Sequence, residues 1–264
     1  MVEPSVTLDS GAANLHFART LIGELHEAGV ATAILCPGSR STPLALAVAL
    51  EGGLDHSVHL DERSAAFFAL GHAKATGRPV ALVCTSGTAG ANFLPAVAEA
   101  SQSRVPLVVL TADRPPELRS WGAPQTMEQR TLYAGFTRFS EEAPCPAAGS
   151  PWTGYARALA RRAVDAATGP APGPVHLNLP FREPLGPATV DWSPSARTIA
   201  EDRPRPEAGA EACGDPDGAL ARALRQSARG ILVFGPDAWD PALAPAAATL
   251  ATTLGWPIIA DPAA

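Results

Sequence analysis

A chain of 264 residues that is 46% hydrophobic and 17% charged carries enough apolar material for a packed core and is unlike a disordered segment. Its formal charge of −6 gives no basic face for nucleic acid or an anionic membrane, so neither partner is expected. No apolar run approaches the roughly 18 residues of a membrane helix, and the start, Met1-Val-Glu-Pro-Ser-Val, lacks the basic-then-apolar pattern of a secretory signal.

Cys36, Cys84, Cys145 and Cys213 lie far apart with no CxxC pair, so a zinc site is not expected and the thiols read as reduced. Cys36 and Cys84 end apolar strands, where a buried free thiol is the ordinary reading. A cytoplasmic location is the expectation.

In chain order, residues 14–28 place Leu15, Ala18, Leu21, Ile22 and Leu25 at spacings of three and four, which predicts an amphipathic helix closed by Gly29. Residues 31–36 read as a buried strand broken by Pro37-Gly38. A helix restarts at Ser41-Thr42-Pro43, with Ser41 or Thr42 as N-cap. Residues 58–60 read as a short strand, and Asp61 can cap the helix that runs through Phe67, Phe68 and Leu70 to Gly77. Residues 80–84 form a third strand, followed by Thr85-Ser-Gly-Thr-Ala-Gly90 and a helix to about Ser101. Residues 106–110 form a fourth. After Asp113-Arg114-Pro-Pro116 comes a looser region with a short helix over 127–133. Residues 155–167 return to helix and 174–179 to strand.

This alternation predicts a doubly wound parallel α/β sheet over residues 10–185. Residues 186–206 lose periodicity and read as a linker. Residues 207–264 then offer helix (219–228), strand (230–235), helix (242–254) and strand (256–260). That is the incomplete start of a second, Rossmann-like α/β domain, with exposed apolar surface expected at 231–234 and 258–259.

In such sheets the turns after the strands gather along one edge, where ligands bind. Glu62 stands there. A carboxylate in a first helical turn also favours the helix dipole, so a plain cap-region role is the competing reading. Pro37-Gly-Ser-Arg-Ser-Thr-Pro43 is a tight turn into a helix N-terminus, either an anion site with Arg40 or an ordinary turn with a solvated arginine. Arg114 falls on the same edge, and two arginines beside a carboxylate suit a substrate with more than one carboxylate. Thr85-Ser-Gly-Thr-Ala-Gly90 fits neither nucleotide motif, and its glycines suit close approach of a flat ring or a neighbouring subunit. His59 and His72 read as core or surface histidines.

These residues carry a resemblance. Cys36-Pro-Gly-Ser-Arg-Ser-Thr-Pro43, Leu60-Asp-Glu-Arg63, Thr85-Ser-Gly-Thr-Ala89, Leu110-Thr-Ala-Asp-Arg-Pro-Pro-Glu-Leu118 and Gly122-Ala-Pro-Gln125 resemble, in order and spacing, the N-terminal half of the 2-succinyl-5-enolpyruvyl-6-hydroxy-3-cyclohexene-1-carboxylate synthases, thiamine-diphosphate enzymes of menaquinone biosynthesis. Leu254-Gly-Trp-Pro-Ile-Ile259 resembles that family's central domain. The resemblance implies that residues 10–185 are a pyrimidine-binding domain, with the cofactor held between this domain and the diphosphate-binding domain of another subunit of a homodimer or homotetramer. Glu62 would be catalytic, bonded to N1′ of the aminopyrimidine and controlling the tautomer of that ring. Pro37, Gly38, Glu62, Ser86, Gly87 and Thr88 would contact cofactor. Ser39, Arg40, Arg114 and Gln125 would contact substrate, with 2-oxoglutarate decarboxylated and its succinyl unit added to isochorismate. Pro124 stands where some members have Asn.

The family's Gly-Asp-Gly motif for Mg²⁺ is not found; the nearest text, Gly214-Asp-Pro-Asp-Gly218, has proline in place of the central glycine. Mg²⁺ therefore enters by implication alone, no metal ligand is assigned, and the chain is expected to be inactive by itself. Two other readings stay open: another thiamine-diphosphate lyase or carboligase, and a non-catalytic domain that pairs with partner subunits.

Overall fold

The structure is a computed structural model and describes residues 9–148, 152–190, 218–235 and 243–261. The chain divides into two compact units, Met1–Thr198 and Ile199–Ala264. Most of the predicted linker, and Cys213, lie outside the described residues.

The first unit is built on a six-stranded sheet: β1 (Thr32–Leu35), β2 (Asp55–Val58), β3 (Val80–Cys84), β4 (Leu107–Asp113), β5 (Phe139–Glu142) and β6 (Val175–Pro180). Every pairing is parallel and the order is β2-β1-β3-β4-β6-β5, so the expected doubly wound sheet is observed. From β1 the chain first adds a strand on one side and then on the other. The switch point, where ligands settle in such sheets, therefore lies between β1 and β3.

Both faces of the sheet are covered, which explains why its central strands are apolar throughout. Successive strand residues point to opposite faces. Ala33 and Leu35 join Ala81, Val83, Val108, Leu110, Val175 and Leu177 under α1 (Ser10–Glu27), α2 (Thr42–Leu50) and α6 (Thr153–Thr168). Ile34 and Cys36 join Leu82, Cys84, Leu107 and Val109 under α3 (Glu62–Thr76) and α5 (Leu94–Gln102). α5 is preceded by the short α4 (Thr88–Asn92). The predicted single helix breaks at Phe93, with Pro95 in the first turn of α5 where its missing N–H costs nothing.

Other expectations are corrected as well. The second strand runs over Asp55–Val58, not 58–60: β1 turns away after Leu35, the last bond of this ladder is His59 N–H to Leu35 O at 2.9 Å, and Leu60 is 87% exposed. No helix forms over 127–133. That stretch makes single turns, Leu132 N to Gln129 O and Ala134 N to Thr131 O, while Gln129 and Tyr133 insert their side chains into the end of the sheet. β5, an edge strand of sequence Phe-Ser-Glu-Glu, has no counterpart in the sequence reading. Ser41 occupies the cap position of α2, but its hydroxyl donates backwards to Gly38 O at 2.9 Å instead of capping.

The second unit pairs β7 (Leu232–Phe234) in parallel with β8 (Ile258–Ala260), with α7 (Ala219–Gln226) and α8 (Leu243–Leu254). Ile231, Val233, Ile258 and Ile259 are exposed.

Candidate active site at the C-terminal edge of the sheet

The turns after β1 and β3 meet at the switch point. Cys36 and Cys84 follow directly on the paired residues Leu35 and Val83, and the Cys36 N–H donates to Val83 O at 2.8 Å. Gly38 is extended (φ 178°), so its role is proximity: an added Cβ would lie 2.4 Å from the Thr85 Cβ. Gly87 is required on two grounds. Its φ of +79° is glycine territory, and an added Cβ would lie 2.8 Å from Gln125 Cγ.

Glu62 is the first residue of α3. Asp61 caps that helix by accepting the Ser64 N–H at 2.8 Å, and that bond holds its carboxyl below the usual range. With the cap filled by its neighbour, Glu62 is half-buried, and among the described residues its carboxylate has no hydrogen-bond or ion-pair partner. It lies close to the strand ends: burial, then the charges of Glu62 and Asp61, push the Cys36 thiol up to about 12. Burial, Cys36 and Glu62 raise Cys84 further. These thiols stay protonated and unreactive. The exposed residues near Glu62 in the chain are mixed: Asp61, Arg63 and Ser64 are exposed, and so are the apolar Val58, Leu60, Phe67 and Phe68 of β2, the turn after it and α3.

The two arginines come together. Burial lowers the Arg114 guanidinium, and the charge of Arg40 lowers it further. Arg40 is not the solvated side chain of an ordinary turn. It is 5% exposed, donates to Phe181 O and pairs with Glu183 Oε1, both at 2.9 Å, while its buried Nε finds no partner among the described residues. Arg114 Nη1 donates to Ser86 Oγ, and Gln125, at φ +56°, donates to Ser86 O at 3.0 Å. Ser86 and Gly87 are buried; Pro37, Ser39 and Thr88 are exposed. Arg114, Ser86, Gly87 and Gln125 thus form one connected group, with Arg40 near enough for its charge to act on Arg114 but bonded elsewhere. Glu62 stands beside the roots of the same turns, with no bond joining it to the arginines among the described residues.

Behind this edge lies a buried polar network absent from the sequence reading. Thr111 and Asp113 of β4, and His176 and Asn178 of β6, share the sheet face that α3 and α5 cover further along. Asn178 Nδ2 donates to Asp113 Oδ2 at 2.8 Å and to Glu142 Oε2 at 2.9 Å, and its Oδ1 accepts from Thr111 and Gln129. Arg119 pairs with Asp113 at 2.9 Å and with Glu142 at 2.7 Å. Burial raises Asp113 against the pull of Asn178 and Arg119. Burial lowers His176 to about 4, so it is a neutral partner of Thr111 (2.8 Å) packed edge-on against Tyr133. The available signal was His176 and Asn178 two apart in an otherwise apolar strand, a period that puts both on one face.

Among the described residues no three His, Cys, Asp or Glu side chains gather as a metal-ligating group, and no helix is long and apolar enough to cross a membrane. His59 packs on Phe68 with its ring nitrogen near Ser57 Oγ, and His72 bonds Thr32 Oγ1.

Residues 15–132 match the family model of the thiamine pyrophosphate enzyme, N-terminal TPP binding domain. The chain is 50% identical over 250 residues to a 2-succinyl-5-enolpyruvyl-6-hydroxy-3-cyclohexene-1-carboxylate synthase of Geobacillus thermodenitrificans, covering 93% of this chain and 42% of the relative. Proteins of the same name from Halobacterium salinarum and Chloroflexus aurantiacus are 48% and 49% identical over 94% of this chain, which spans 45% and 42% of them. The chain therefore spans less than half the length of these relatives. A crystal structure of a Mycobacterium smegmatis protein, described as a candidate thiamin diphosphate-dependent enzyme, shares the fold with a TM-score of 0.68 at 21% identity, covering 93% of this chain and 44% of that one. Fold and matches together show a parallel α/β domain that is similar, over residues 15–132, to the N-terminal TPP binding domain of thiamine pyrophosphate enzymes, in a chain similar to less than half the length of the 2-succinyl-5-enolpyruvyl-6-hydroxy-3-cyclohexene-1-carboxylate synthases.

Proposed function

We propose that this chain supplies the aminopyrimidine-binding half of the active site of a cytoplasmic 2-succinyl-5-enolpyruvyl-6-hydroxy-3-cyclohexene-1-carboxylate synthase, which decarboxylates 2-oxoglutarate and adds the succinyl unit to isochorismate. The observation that carries the reading is Glu62: a carboxylate without a partner among the described residues, half-buried at the switch point, in a chain about half identical to enzymes of that name. Thiamine diphosphate, when bound, supplies the carbanion stabilisation that decarboxylation of a 2-oxo acid requires.

The residues present fit one half of that cofactor. Glu62 can share a proton with N1′ of the aminopyrimidine, because Asp61 already serves the helix and leaves the Glu62 oxygens uncommitted. The turns at Pro37-Gly38 and Ser86-Gly87-Thr88 border the same place and bring backbone close, as a flat ring requires. Nothing in this group suits a diphosphate with Mg²⁺. That ion and its ligands belong to the diphosphate-binding part of the synthase, contributed across a homodimer or homotetramer.

Both proposed substrates carry carboxylates, and Arg40 and Arg114 form the positive end of the site. Arg40 Nε is a buried donor lacking an acceptor among the described residues, which a substrate carboxylate would satisfy. Ser39 and Gln125 flank the pair. Gln125 follows Pro124, so no polar side chain is assigned at that neighbouring position.

The test is CO₂ release from 2-oxoglutarate in the presence of isochorismate, thiamine diphosphate and Mg²⁺. It compares this chain alone with the chain joined to a diphosphate-binding part. Turnover in the joined protein and none in the chain alone is the expected result. Turnover with other 2-oxo acids but not 2-oxoglutarate would identify a different lyase or carboligase. A correctly assembled, cofactor-loaded protein without turnover would favour a non-catalytic pairing domain.

A further inference from the structure

The stretch between β4 and β5 carries Gln125, Gln129 and Tyr133 at intervals of four, and each commits its polar end to a different backbone group of the turn after β3 or of the short α4 that continues it. Gln125 Nε2 donates to Ser86 O at 3.0 Å, the Gly87 N–H donates to Gln129 Oε1 at 2.6 Å, and the Tyr133 hydroxyl donates to Gly90 O at 2.6 Å. Gln129 and Tyr133 are each 1% exposed. Gln129 is also anchored from behind, its Nε2 donating to Ala112 O at 3.1 Å and to Asn178 Oδ1 at 3.0 Å.

The carboxamide of Gln129 therefore ties the turn after β3 to the ends of β4 and β6. A Ser-Gly-Thr turn has many backbone conformations to lose, and this one is held with Gly87 at φ +79°, ψ −144°. By taking up the Gly87 N–H, Gln129 fixes the peptide plane between Ser86 and Gly87, and with it the Ser86 hydroxyl that accepts from Arg114. The same commitment removes the Gly87 N–H from the donors open to a ligand.

We infer that Gln129 is a positioning residue for the cofactor-bearing turn, with Tyr133 fixing the far end. The inference rests on the proposed function for the word cofactor, but not for the mechanical role. A residue that only stabilises the fold would lower overall stability and leave ligand affinity unchanged. A positioning residue must loosen the turn and weaken the ligand.

Gln129→Met keeps the volume and removes both bonding ends; Tyr133→Phe removes one hydroxyl. Hydrogen exchange across residues 86–92 of this chain reads the turn, and the dissociation constant of thiamine diphosphate in the complete holoenzyme reads its consequence. Expected for Gln129→Met is exchange faster by about tenfold or more and binding weaker by about tenfold, the scale of one buried hydrogen bond lost. Tyr133→Phe should show smaller changes in the same direction. Val164→Ala, a core change in α6 under the opposite sheet face, should lower stability while both readouts stay at wild type.

Unchanged exchange in Gln129→Met overturns the inference, as does faster exchange with unchanged affinity. Equal weakening by Val164→Ala overturns it as well. If Gln129→Met does not fold, Tyr133→Phe decides, and wild-type values for both readouts in that variant overturn the inference. Wild-type holoenzyme that fails to bind thiamine diphosphate overturns the proposed function and the cofactor role of the turn together, while the exchange measurement still decides whether Gln129 holds it.

Discussion

Along one edge of one sheet, two flanks are built differently. At β4, β5 and β6 the edge carries Thr111, Asp113, Glu142, His176 and Asn178, bonded to one another and to Arg119 and Gln129. At β2 and α3 it carries Glu62 among exposed Val58, Leu60, Phe67 and Phe68. The first flank satisfies its polar groups from within this chain. The second holds a carboxylate with no partner among the described residues, and several exposed apolar side chains that water solvates poorly. Rigidity and reactivity are thereby divided: the wired flank fixes the turns, and the open flank presents the acid. Under the proposed function this division is what a site shared between subunits needs.

Glu62→Gln in the complete enzyme gives the largest expected contrast. Turnover should fall by roughly 10²–10⁴-fold, the range of a general acid–base residue, while the melting temperature barely moves, because Asp61 still caps α3. Near-normal turnover would end the assignment of chemistry to the open flank.

The wired flank should instead show itself in stability. His176 is held neutral down to about pH 4, whereas in the unfolded chain it takes a proton near 6.5. Between those values the unfolded state binds the extra proton, so stability falls as pH falls and the loss levels off below about 4, at roughly 3 kcal/mol. Asp113, raised by burial, acts in the opposite sense above its ordinary carboxylate range, so the slope must be isolated with a variant. Denaturant unfolding of His176→Asn and wild type from pH 7 to 4.5 should show a flatter dependence in the variant; parallel curves would mean that His176 titrates alike in both states.

Two glycines sharpen the contrast further. Gly87→Ala meets both a positive φ and a Gln125 contact at 2.8 Å, and should cost about 1–3 kcal/mol. Gly52→Ala, in the turn before β2 with nothing within 4 Å of an added Cβ, should stay within about 0.5 kcal/mol. Equal effects in denaturant unfolding would mean that the turn after β3 does not need its glycine. Among the kinetic effects the smallest expected is that of Arg114→Ala: about tenfold on the KM of a carboxylate substrate, the scale of one charge-assisted bond. If Arg40→Ala and Arg114→Ala both leave the kinetics of each substrate unaltered, the arginine pair is not a carboxylate site.

How legible each part was follows from where its signal resides. The central strands β1, β3, β4 and β6 are readable because burial on both faces makes them apolar runs bounded by Pro or Gly. The edge strands β2 and β5 are Asp-His-Ser-Val and Phe-Ser-Glu-Glu; half-solvated and charged, they lack that signal. The position of Glu62, Arg40, Ser86 and Arg114 on one edge is also readable, since each sits at a strand end next to turn residues. The bonds of Gln129, Asn178 and His176 are not, because they join β4, β6 and a connecting loop, and local spacing does not say which distant group a buried amide will choose. The same bonds explain why 127–133 looks helical in sequence and is not: two of its side chains are committed to the turn after β3 and the sheet end behind it.

The central claim is that Glu62 acts on a thiamine ring and does more than begin a helix. Its most direct test is the rate at which the C2 proton of thiamine diphosphate, bound to the complete protein, exchanges with deuterium. The account predicts that Glu62→Gln binds the cofactor yet slows this exchange by about 100-fold or more. Exchange at the wild-type rate in the cofactor-loaded variant would contradict it.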